Sequence, residues 1–182
     1  MIKYLRFIPN FISLIRISLV IPIVLNLLSS KYVFAIILFT FASVSDAIDG
    51  FLARFFKWHT DLGKILDPVA DKLLMIGSIT ALWWNQIVPL SVFIIFVLRD
   101  LLILLGAAFE MSITEKTPSP NYIGKATTAS QIIYILALII IEIFNVTINF
   151  KIFHILIALI SLLSLLSYFR WWLNNNFIKE NV

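Results

Sequence analysis

The chain has 182 residues, no cysteine, a formal charge of +4, and 13% charged residues against 61% hydrophobic ones. A soluble domain carries about 25% charged residues, so this composition excludes an ordinary water-soluble globule and makes lipid the solvent for most of the surface. The missing cysteines exclude a disulfide framework and a thiolate metal site, and the length allows a single domain, residues 1–182.

A helix needs about 20 mostly apolar residues to cross about 30 Å of hydrocarbon. Six segments meet that need, so the fold class is all-α with six transmembrane helices. In chain order they run over Asn10–Leu28, Tyr32–Phe51, Asp67–Trp84, Val88–Met111, Lys125–Phe144 and Phe150–Trp172. The segment after Lys3 and Arg6 is too long for a leader, contains Arg16 and Pro22, and has no small-residue cleavage site after it. No organelle transit peptide is expected either, which points to a bacterial chain.

Short connectors are expected at Ser29–Lys31, Asn85–Gln86 and Asn145–Asn149, and longer polar ones at Leu52–Leu66 and Ser112–Gly124. The Asn174–Asn176 run reads as a polar exit from the last helix. With an even number of spans, one side holds Lys3, Arg6, Arg54, Lys57, Lys64, Lys116, Lys125, Arg170 and Lys179, and the other only Lys31 and Lys151. Positive loops stay inside, so both termini and both long connectors should be cytoplasmic. The basic charge serves topology and anionic lipid head groups, not nucleic acid. Trp83, Trp84, Trp171 and Trp172 fall at expected helix ends, where interfacial indoles are favoured.

The chemistry concentrates in one stretch. Asp46 and Asp49 stand three apart near the expected cytoplasmic end of the second helix, and Asp67 and Asp71 four apart at the start of the third. Either spacing puts a pair on one helix face. The two helices should be antiparallel neighbours whose acidic faces meet. Four carboxylates at low dielectric repel strongly, and divalent cations relieve that repulsion. All-oxygen ligands point to Mg2+ or Mn2+, and four shared carboxylates suffice for two ions. Gly50, Ala53 and Gly63 let a nucleotide or a helix approach the backbone, and Arg54 can meet a phosphate with its planar fork. The bland alternative is a chance cluster of helix-end acids. Asp67-Pro68 does resemble an N-cap followed by Pro at N1, but acids at a helix C-terminal end oppose the macrodipole.

This stretch resembles the signature of the CDP-alcohol phosphatidyltransferases, D-x2-D-G-x2-A-R-x8-G-x3-D-x3-D. It matches without a gap at Asp46, Asp49, Gly50, Ala53, Arg54, Gly63, Asp67 and Asp71. The resemblance implies that Asp46, Asp49 and Asp67 ligate metal, and that Asp71 completes the site and is the general base on the acceptor hydroxyl. It implies that Asp49, Gly50, Ala53, Arg54 and Gly63 contact the CDP moiety, and that the enzyme is a homodimer. The implied reaction moves a phosphatidyl group from CDP-diacylglycerol to an alcohol, with release of CMP.

The acceptor is less clearly written. Pro9-Asn10-Phe11-Ile12-Ser13-Leu14-Ile15-Arg16 and the Leu66–Leu74 stretch resemble the phosphatidylglycerophosphate synthase and cardiolipin synthase branch. Gly124-Lys125 and Thr128 resemble a G-K-x-x-T motif of the former, with Lys125 a candidate for the acceptor phosphate or a positive-inside anchor. Arg99-Asp100 is either an acceptor-site element or a self-neutralising pair that fixes helix packing. The absence of a second Arg-Glu after it leans toward the cardiolipin synthases. Glycerol 3-phosphate is placed first and phosphatidylglycerol second. His59 reads as a solvated loop residue, and His154 as interfacial. The rival of another class is a cation transporter or channel, which would spread acids along a pathway; here they cluster at one edge.

Overall fold

A computed structural model describes residues 8–56, 61–114, 122–146 and 149–176. Six helices account for nearly all of them: α1 (Ile8–Leu28), α2 (Tyr32–Phe56), α3 (Asp61–Trp84), α4 (Leu90–Thr114), α5 (Tyr122–Phe144) and α6 (Lys151–Asn176). No strand occurs among the described residues. Three stretches, Asn10–Leu28, Tyr122–Phe144 and Lys151–Arg170, are long and apolar enough to cross a membrane. Large apolar side chains point outward all along the chain, among them Phe11, Ile21, Phe34, Leu105, Ile133 and Leu163. A surface this apolar suits hydrocarbon, and the chain is an integral membrane protein.

The expected helices are all present, with ends that differ in informative ways. α2 runs five residues past Phe51, because Leu52-Ala53-Arg54-Phe55-Phe56 contains good helix formers and no breaker. Asp46 and Asp49 therefore lie two to three turns inside the helix, and the macrodipole argument against helix-end acids does not apply to them. α3 begins at Asp61, so Asp67 is no N-cap and Pro68 sits inside the helix. Pro68 brings no N–H to the carbonyl of residue 64, which is left without that intrahelical partner. α5 begins at Tyr122, and α6 ends at Asn176, with Asn174–Asn176 as its last helical residues.

Three short connectors close by one device. Ser30, Gln86 and Asn145 take left-handed backbone, with φ of 56°, 62° and 50°. At each, two amides fold back onto the helix. Lys31 N donates to Asn26 O (2.8 Å) and Ser30 N to Leu27 O (3.0 Å). Ile87 N and Gln86 N meet Leu82 O and Trp83 O in the same way, and Val146 N and Asn145 N meet Ile141 O and Glu142 O. These are paired C-terminal caps that do without glycine. Gln86→Gly is expected to stabilise the protein by about 0.5–1 kcal/mol. The left-handed penalty of about 1–2 kcal/mol outweighs the extra freedom Gly gives the unfolded chain. A small rise in melting temperature of the purified protein checks it.

The chain divides into two compact units, one of residues 1–87 and 136–146, the other of 88–135 and 147–182. In the first, α1 is the hub and packs against both α2 and α3. α2 and α3 also touch each other, and among the described residues their contacts are fewer than those either makes with α1. Small residues permit the packing on α1. Ala35 and Ala42 are fully buried on α2, and a Cβ on Gly77 of α3 would stand 3.0 Å from Val24 and 3.1 Å from Val20 of α1. Ser13 bonds Asp67 low on the pair, and Asn85 Nδ2 donates to Leu27 O (2.8 Å) at its top, so α1 and α3 run parallel. α2 returns antiparallel, which puts its acid-bearing end level with the start of α3. In the second unit α4 packs against α6, again in parallel, with Arg99 bonded to Ser164 and Gly106 against Tyr168.

Candidate active site

In the first unit, Asp46, Asp49, Gly50, Ala53 and Arg54 lie on the last three turns of α2. Gly63, Asp67 and Asp71 lie on the first three turns of α3, where Gly63 is buried and both acids are half-buried. Asp67 and Asp71 stand one turn apart on one face. Lys72 Nζ is 3.8 Å from Asp71 Oδ2, a partly exposed ion pair beside the second acid.

Sequence reasoning missed what faces Asp67. Asn10, Ser13 and Arg16 are 7%, 0% and 1% exposed on the mostly apolar α1. Three-residue steps keep them on one side of the helix, and Ser13 Oγ donates to Asp67 Oδ1. The signal was available: three polar side chains in helical register on a spanning helix are costly unless they face the bundle interior.

The donor set suits a hard divalent cation. Asp67 and Asp71 offer carboxylate oxygens a turn apart, no imidazole or thiolate competes among the described residues of α1 to α3, and α2 carries two further aspartates at the same end of the unit.

In the second unit, Arg99 is 2% exposed and Asp100 is fully buried. Arg99 Nη1 donates to Asp100 Oδ1 (2.6 Å) and Gln131 Oε1 (3.4 Å), and Nη2 to Gly124 O (3.2 Å) and Ser164 Oγ (3.0 Å). One guanidinium so links α4, α5 and α6. Two buried donors, Arg99 Nε and Gln131 Nε2, meet no acceptor among the described residues. Lys125, one residue after the carbonyl that Arg99 holds, is exposed. His154 is half-buried, with Nδ1 2.6 Å from the Tyr134 hydroxyl, and lines a cavity of about 450 Å3 with Pro89, Val92, Ile95 and Lys151. His59 lies outside the described residues.

The family profile described as CDP-alcohol phosphatidyltransferase matches residues 6–172. A CDP-diacylglycerol--glycerol-3-phosphate 3-phosphatidyltransferase of Aquifex aeolicus is 33% identical over 76% of this chain and 79% of its own. One of the same name from Bacillus subtilis is 30% identical over 72% and 76%. A cardiolipin synthase (CMP-forming) of Streptomyces coelicolor is 30% identical over 66% of this chain, but the match spans only 59% of that protein.

Proposed function

The chain belongs to the CDP-alcohol phosphatidyltransferase family, and from that premise we propose that it transfers the phosphatidyl group of CDP-diacylglycerol to glycerol 3-phosphate. The ungapped acid signature spread over α2 and α3 carries the reaction. The names of the Aquifex and Bacillus relatives, matched over about three quarters of their length, support the acceptor. The second reading, phosphatidylglycerol as acceptor, is favoured by the lone Arg99-Asp100 pair. Membership in an enzyme family sets the transporter reading aside.

Asp46, Asp49, Asp67 and Asp71 would hold Mg2+ or Mn2+, as two ions. Bound there, the ions would offset charge on the pyrophosphate as it reacts. Asp49, Gly50, Ala53, Arg54 and Gly63 would seat the CDP moiety, Arg54 through a charge-assisted bond to phosphate. Asp71 would take the proton of the acceptor hydroxyl while the acceptor oxygen bonds to the phosphorus that carries diacylglycerol. The bond from that phosphorus to the oxygen shared with CMP breaks, and CMP leaves. Lys125 would meet the acceptor phosphate, with Arg99 behind it offering its unfilled Nε. The active site and both termini would face the cytoplasm of a bacterial inner membrane, and the enzyme would act as a homodimer.

The test is purified protein, labelled CDP-diacylglycerol, and a panel of glycerol 3-phosphate, phosphatidylglycerol, inositol phosphate and serine. Metal-dependent CMP release with glycerol 3-phosphate is expected. Release with phosphatidylglycerol alone would move the chain to the second reading, and no release with any acceptor would defeat both. Lys125→Ala is expected to raise the KM for glycerol 3-phosphate tenfold or more, the loss of roughly one charge-assisted bond. It should leave the KM for CDP-diacylglycerol unchanged.

A further inference from the structure

We infer that Ser13 is a positioning residue for Asp67, its hydroxyl fixing the carboxylate so that one oxygen stays turned to the metal. The inference rests on the metal-site reading above. Three observations carry it. Ser13 is fully buried, so water cannot satisfy its hydroxyl, and a buried hydroxyl needs a partner. That hydroxyl donates to Asp67 Oδ1 across 54 residues of sequence. The helix that brings it, α1, is the element that both acid-bearing helices pack against.

A carboxylate on one helix can swing about χ1 and χ2. A bond from a second helix removes that freedom and occupies one lone pair on Oδ1, leaving Oδ2 and the rest of Oδ1 for a cation. Outer contacts of this kind orient metal ligands, and losing one costs about 10–100-fold in metal affinity or activity. The serine of the Pro9–Arg16 stretch thus serves the acid cluster, whatever the acceptor.

The experiment measures Mn2+-dependent thermal stabilisation of purified wild-type, Ser13→Ala, Ser13→Thr and Ser13→Val protein, alongside the metal dependence of CMP release. Ser13→Ala should raise the half-effect Mn2+ concentration about tenfold, while Ser13→Thr, which keeps the hydroxyl, stays within about twofold of wild type. Thr and Val share a shape and differ in the hydroxyl, so that pair decides the matter if the alanine variant does not fold. Ser13→Val should follow alanine. A lower metal-free melting temperature with an unchanged Mn2+ half-effect would make Ser13 merely structural and overturn the inference. So would a raised KM for CDP-diacylglycerol at unchanged metal dependence. If Ser13→Ala and Ser13→Val both respond to Mn2+ as wild type does, the inference fails while the metal reading stands. Should wild type itself show neither Mn2+ stabilisation nor metal-dependent turnover, the metal reading falls and takes the inference with it.

Discussion

Asp67→Asn is expected to lower CMP release by roughly a thousandfold, and Asp46→Asn to do the same, with the protein still folded. Replacing a charged ligand by a neutral amide weakens the hold on an ion that supplies several kcal/mol of transition-state stabilisation, and about 4 kcal/mol is a thousandfold in rate. Folding should not suffer. If the four aspartates share the ions as proposed, they would repel one another in metal-free protein, so neutralising one would relieve that repulsion. The metal-free melting temperature should hold or rise, and the gain on adding Mn2+ should disappear. An Asp67→Asn or Asp46→Asn protein with near-normal turnover would refute the metal assignment.

Arg99→Ala is expected to act on stability, by about 3–5 kcal/mol. The guanidinium serves partners on α4, α5 and α6, and its removal takes the 2.6 Å counter-charge from fully buried Asp100. A carboxylate that loses its cation inside a bundle is costly in a way that losing both charges is not. The double variant Arg99→Ala/Asp100→Ala should therefore be more stable than Arg99→Ala alone. Thermal unfolding of the two purified variants decides it; a double variant as unstable as the sum of the singles would mean that the pair is not coupled. The same substitution bears on the acceptor reading through the KM for glycerol 3-phosphate, measured at a temperature where the variant is folded.

Much of this architecture could be read from residues alone. The six helices follow from apolar runs, and the tight connectors from polar residues at 29–31, 85–86 and 145–149, all three of which cap without a glycine to announce them. The acid spacing needs only helical periodicity. What could not be read depends on which helices touch. Alternating spans already make α1 and α3 parallel, but nothing in the chain states the register that sets Ser13 on Asp67, which depends on packing such as that of Gly77 against Val20 and Val24. Pro68 misled for a related reason. Proline ends helices in water, but within a bundle other groups can satisfy the carbonyl that it strips, and α3 runs through it from Asp61.

The central placing of α1 has a consequence for how the protein is made. Ribosomes deliver α1 before α2 and α3, so the helix against which both acid-bearing segments pack is made before either. By residue 87 every proposed ion ligand has been synthesised, together with the serine that steadies one of them. The order of translation is thus also an order of construction, with the acid-bearing segments laid down ahead of the half that would choose the alcohol.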